Sequence, residues 1–141
     1  MTALHLLGVY GNLKNMLESA LAGVLYLGEL MFHHVDGHAD TASLDLESGI
    51  EMCSGDKVTA NDVERCCQLL GVEFSALSTC MVSRTLDVEG SILSVPMNIE
   101  QACSGRDALA KEMYERVFQW LVLVINFNTA FKGNSNMHTV T

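Results

Sequence analysis

The stretch from Asn98 to Asn126 constrains the fold more than any other part of this 141-residue chain. Leu109, Met113, Val117, Trp120, Leu121 and Val124 recur with helical spacing on one side. Asn98 suits the N-cap, and Gln101 three positions later completes a capping box. Pro96 bars continuation of any preceding strand. About 28 residues at 1.5 Å each give a rod of roughly 42 Å, longer than most globular helices. Gly105 inside it costs about 1 kcal/mol relative to alanine. After Ile125 the apolar repeat stops. Residues 127–141 are rich in Asn and Thr and are expected to form a divergent, disordered tail.

The remaining segments place shorter elements around that helix. Thr2 to Leu7 reads as a short helix stopped by Gly8. Asn12 can cap a stronger one, in which Leu13, Met16, Leu17, Ala20, Leu21, Val24 and Leu25 form an apolar stripe and Gly28 suits the C′ position. Lys14, Asn15, Glu18 and Ser19 should face solvent. Leu30, Phe32 and Val35 alternate as in a short strand, Asp36-Gly37 marks a turn, and Ala42 to Leu46 can pair back. Thr59 and Asp62 form a capping-box variant ahead of a helix with Val63, Cys66, Leu69 and Leu70 inward, ended by Gly71. Ser75 to Val82 reads as a further helix, with Phe74, Leu77 and Met81 inward. Arg84 to Val88 and Ile92 to Val95 flank Glu89-Gly90-Ser91, the pattern of a hairpin or projecting loop. The fold expected is mainly α, with a small β-hairpin or loop before a long C-terminal helix.

Composition narrows the function classes. Hydrophobic residues make up 49% of the chain, a globular proportion. The formal net charge of -9 disfavours nucleic acid and anionic membrane surfaces as partners. The apolar runs fall short of the ~20 residues a spanning helix needs. Met1 to Tyr10 has no basic n-region or small-residue cleavage site, so no signal peptide is expected. The five cysteines (Cys53, Cys66, Cys67, Cys80, Cys103) are odd in number and lack a C-x-x-C pair. Reduced thiols and a cytoplasmic setting follow.

Chemistry-bearing patterns are sparse. His33, His34 and His38 near Asp36 and Asp40 have residue types that bind zinc or nickel, but no second cluster closes a tetrahedral site, and a polar turn is the simpler reading. Cys66-Cys67 reads as one core thiol and one nearer the surface rather than a redox pair. No G-x-S-x-G elbow and no G-x-x-x-x-G-K-[ST] phosphate loop occurs in the 141 residues. No catalytic, cofactor-binding or metal-ligating residue is assigned. The Trp120 stripe reads as packing. The segment Arg84 to Met97 stands apart, because Leu86, Val88, Ile92, Leu93 and Val95 are too many apolar residues for an idle loop. They either pack back on the domain or meet a partner.

The strings carry a family resemblance. Arg106 to Lys111 reads R-D-A-L-A-K. Tyr114, Arg116, Phe118, Trp120 to Val122 and Ile125-Asn126 continue as Y-x-R-x-F-x-W-L-V-x-x-I-N. Ala22 to Gly28 with Phe32, then Leu69 to Val72 and Arg84-Thr85, follow in matching order. Together, over about residues 3–126, they resemble the motor head of unconventional myosins, in the upper half of the actin-binding cleft.

The resemblance implies part of an actin-based, ATP-driven cytoskeletal motor. It places an actin-contact loop at Arg84, Thr85, Leu86, Val88, Glu89, Gly90, Ser91 and Ile92, with actin filaments and the remainder of a motor head as partners. Many myosins carry Thr, Glu, Asp or Ser sixteen residues before the D-A-L-A-K aspartate. Here that is Ser91, a phosphorylation candidate at the loop tip. ATP and Mg belong to the complete family motor. The family's phosphate loop and first switch lie before this stretch, and its second switch, D-I-x-G-F-E, lies after it. The 141 residues contain none of these motifs, nor the family's usual Asn at position 29, where Glu29 stands. The expectation is a partial motor domain at residues 1–126, cytoskeleton-associated and without ATPase activity alone. The alternative is a stand-alone helical interaction module.

Overall fold

A computed structural model describes residues 3–44, 50–51, 57–58 and 60–137. The order is α1 (Ala3–Leu6), α2 (Asn12–Glu29), β1 (His33–Val35), β2 (His38–Ser43), β3 (Ile50–Glu51), β4 (Lys57–Val58), α3 (Ala60–Leu70), α4 (Phe74–Val82), β5 (Ser83–Val88), β6 (Ser91–Pro96) and α5 (Ile99–Met137). The strands form three separate antiparallel pairs, β1 with β2, β3 with β4 and β5 with β6. The mainly α expectation holds.

The core sits where α2, α3, α4, β2 and the start of α5 converge. Leu27, Leu30, Phe32, Ala42, Leu44, Val63, Cys66, Cys67, Leu77, Met81 and Ala102 are buried there in one cluster. Each large aliphatic residue so buried stabilises the fold by about 1.5–3 kcal/mol relative to exposure. Gly23 lets α2 approach α3 closely, since a Cβ there would lie 2.6 Å from a Leu70 methyl group. Val63 and Cys66 are inward as their spacing predicts, and Cys67 joins them against expectation.

Helix α3 ends at Gly71 as expected. The Gly71 N–H donates to Gln68 O at 3.3 Å and the Val72 N–H to Cys67 O at 3.0 Å, with Gly71 at φ 67. This is a Schellman end, which needs a left-handed residue at that position. Helix α2 ends differently. It runs through Gly28 to Glu29, and Leu30 is its C-cap with an extended backbone. Its N-cap is Gly11, and Asn12 is the first helical residue. The stripe on α2 is only partly covered. Leu17 is buried, whereas Met16 is 61% and Leu25 72% exposed, because no described element lies over them.

The sequence places the end of the last helix at Asn126, but α5 continues to Met137. Helix propagation needs only one bond per added residue, and an apolar stripe is not a condition for it. Asn128 supplies a tertiary anchor, its side-chain amide donating to the carbonyls of Leu7 and Gly8 at 3.4 and 3.3 Å. Thr2, Leu46, Cys53, Thr59 and residues 138–141, on which earlier expectations rest, lie outside the described residues.

Candidate functional site

The segment singled out by its apolar content forms a two-stranded hairpin. Six pairs run from Ser83↔Pro96 at the root to Val88↔Ser91 at the end. Glu89 and Gly90 make the turn, both with positive φ, 52° and 84°. Two such residues define a type I′ turn, whose twist matches that of the flanking strands. The Gly90 N–H donates to Asp87 Oδ1 at 3.0 Å, tying the turn back to β5. Ser91 therefore stands one step from the tip, as the first residue of β6 opposite Val88.

The register sorts the side chains, because cross-strand partners share a face. Arg84, Leu86, Val88, Ser91, Leu93 and Val95 lie on one face, and Thr85, Asp87, Ile92 and Ser94 on the other. Leu86, Val88, Leu93 and Ile92 are all exposed, Ile92 most of all at 77%. Of the residues whose packing was left open, these four do not pack back on the described part of the domain, and Val95 near the root is half-buried. All eight residues expected in the contact loop fall on this hairpin and are exposed. Leu93, opposite Leu86, and Asp87, which holds the turn, were not among them. The alternation of β6 and a carboxylate three residues before Gly90 are the signals that point to them.

Hydrogen bonds to the described part of the domain hold the hairpin near its root. The Met97 N–H donates to Val82 O at 2.8 Å, and the Ala42 N–H donates to Met97 O at 2.7 Å. Ser83 Oγ donates to Thr79 O at 2.7 Å. Immediately after, the expected capping box forms. The Gln101 N–H donates to Asn98 Oδ1 at 2.8 Å, and the Asn98 N–H to Gln101 Oε1 at 3.2 Å. These bonds fix where β6 turns into α5.

Helix α5 presents the face its spacing predicts. Leu109, Met113, Val117, Trp120, Leu121 and Val124 are half-buried, whereas Tyr114, Phe118, Leu123 and Phe127 are exposed. Between α2 and α5, an apolar groove of about 270 Å³ is lined by Met16, Leu17, Ala20, Arg116, Val117 and Trp120.

Other candidate chemistry is not assembled. Among the described residues, no group of three His, Cys, Asp or Glu side chains is placed to hold a metal ion. Cys66 and Cys67 are buried and unpaired with each other, and Cys80 is exposed. Burial, reinforced by neighbouring Cys67, pushes the Cys66 thiol up to about 12, so it is no nucleophile at neutral pH. Among the described residues, no helix is long and apolar enough to cross a membrane.

The myosin head (motor domain) family model matches residues 1–140. The chain is similar to unconventional myosin IC of Drosophila melanogaster, 38% identical over 112 residues, covering 79% of this chain and 9% of that protein. Unconventional myosin-Ic of Bos taurus is 38% identical over 116 residues, 82% of this chain and 10% of that protein. Myosin IC heavy chain of Dictyostelium discoideum is 32% identical over 133 residues, 88% of this chain and 10% of that protein. The chain thus spans about a tenth of the length of these relatives.

Proposed function

Because this chain belongs to the myosin head (motor domain) family, we propose that it serves as part of an actin-based, ATP-driven cytoskeletal motor. Within that role it supplies a filament-contacting hairpin and the helix that braces it. The observation that carries this reading is the hairpin itself, an apolar two-stranded arm projecting from a folded root with no described element covering it. Arg84, Thr85, Leu86, Val88, Glu89, Gly90, Ser91 and Ile92 are the contact residues on this proposal, with Leu93 added from the register. Ser91 is the modification site, where a phosphate adds about -1.5 to -2 charge beside Val88.

The exposed apolar side chains of Met16, Leu25, Tyr114, Phe118, Leu123 and Phe127 favour a part within a larger head over a stand-alone module. Residues 1–126 form the motor-like part on this reading, and the half-covered face of α5 is where the remainder of the head packs. The 141 residues contain no phosphate-loop sequence, and among the described residues no group of three His, Cys, Asp or Glu side chains is placed to hold a metal ion. Nucleotide chemistry on this reading belongs to the rest of the head, in a cytoplasmic, cytoskeleton-associated setting.

Co-sedimentation with actin filaments tests the proposal. The chain alone should bind with a Kd weaker than about 10 μM, because one hairpin buries far less than a standard interface. Leu86→Ser with Ile92→Ser should abolish the binding that remains. Equal sedimentation of wild type and the double variant would remove the hairpin from the contact.

A further inference from the structure

The signature arginine has a structural partner far away in the chain. Arg106 Nη1 donates to the carbonyl of Leu30, 76 residues distant. Leu30 is the C-cap of α2, so this carbonyl is among those a helix end leaves without an intrahelical donor. Leu30 is 1% exposed, and the Arg106 side chain is 13% exposed. Asp107 Oδ1 holds the same guanidinium, 2.8 Å from both Nε and Nη2. The arginine is therefore oriented from one side and spent on Leu30 from the other.

The bond closes a ring. From Leu30 the chain enters β1, which pairs with β2 through His34↔Ala42. The Ala42 N–H reaches Met97 O, and Met97 leads through the Asn98 capping box into α5. The first turns of α5 then carry Arg106 back to Leu30. Met97 also accepts its place from α4 through its own N–H to Val82 O. The hairpin is anchored at this point, through Val82 on one side and Ala42 on the other.

We infer that Arg106 is a positioning residue for the hairpin. By tying the third turn of α5 to the end of α2, it fixes the root at Met97 and hence the orientation of β5 and β6. The inference rests on the hairpin being the contact element, but its test needs no filament, so failure of the two can be told apart.

The test is solution NMR on the full chain, comparing wild type, Arg106→Ala and Arg106→Lys. Amide exchange at Ala42 and Met97 should speed up roughly tenfold or more in Arg106→Ala, while Val63 and Cys66 in α3 change little. Residual dipolar couplings of residues 83–96 should fit the same alignment as α3 and α4 in wild type. In Arg106→Ala they should depart from it. Arg106→Lys, which keeps a charged donor, should restore part of both signals, and it is the variant to read if the alanine form does not fold. Uniformly faster exchange with unchanged hairpin couplings in the folded variant would overturn the inference and leave Arg106 a general stabiliser.

Discussion

The side-chain amide of Asn128 donates to the carbonyl of Gly8, 3.3 Å away and 120 residues earlier in the chain. Gly8 has φ 85, and a Cβ there would lie 2.3 Å from Asn128 Nδ2. Backbone conformation and close approach thus both require glycine. Asn128→Ala should lower stability by about 1 kcal/mol through the lost bonds. Urea unfolding measures it, and amide exchange near Gly8 should rise at the same time.

Two helical glycines should respond oppositely to the same change. At Gly105 a Cβ meets nothing within 4 Å, so Gly105→Ala should stabilise the chain by about 1 kcal/mol. At Gly23 the new methyl presses on Leu70 at 2.6 Å. Overpacking of that kind costs about 1–3 kcal/mol and offsets the helix gain. Unfolding free energies of the two variants, measured by urea denaturation, should therefore separate by about 1–3 kcal/mol, Gly105→Ala being the more stable.

Thiol chemistry should follow burial. Cys80 is exposed and should react with iodoacetamide well before Cys66 and Cys67. The Cys66 thiol titrates near 9.0 when unfolded and at about 12 in the fold, so its burial favours the folded state fully below pH 9. That stability is lost as pH rises from 9 towards 12, because the unfolded thiol ionises first. Tm should fall over this window, and by less in Cys66→Ala, whose starting Tm is lower for the atoms removed.

Charge at Ser91 should tune filament binding. Ser91→Asp adds a carboxylate beside Val88, on the face that also carries Leu86, Leu93, Val95 and, nearer the root, Arg84. On the proposed reading it should raise the co-sedimenting fraction, by a factor of roughly two to ten, and Ser91→Ala should not. A malachite-green assay on the pure chain should detect no ATP hydrolysis with or without filaments.

Local patterns were readable because local bonds make them. The Asn98–Gln101 capping box and the Gly71 helix end need only a few neighbouring residues, and both formed where their spacing put them. The hairpin followed from apolar residues around a glycine turn. Its register was not readable, so Ser91 was placed at the tip that Glu89 and Gly90 occupy. What depended on distant partners stayed hidden. Nothing near Arg106 in sequence points to Leu30, and nothing near Asn128 points to Gly8. Met16 and Leu25 had the right spacing to be inward, but spacing sets a face and does not supply the cover for it.

Helix α5 has 39 residues and so extends about 58 Å. Among its residues up to position 130, only Ala102, near the start, is fully buried. From Arg106 to the last turn is about 46 Å, so a tilt of 5° pivoted at the arginine sweeps the far end through roughly 4 Å. A side-chain tie at one end thereby governs displacements larger than a bond length at the other. Small strains at the carboxyl end of α2 would be magnified along this axis.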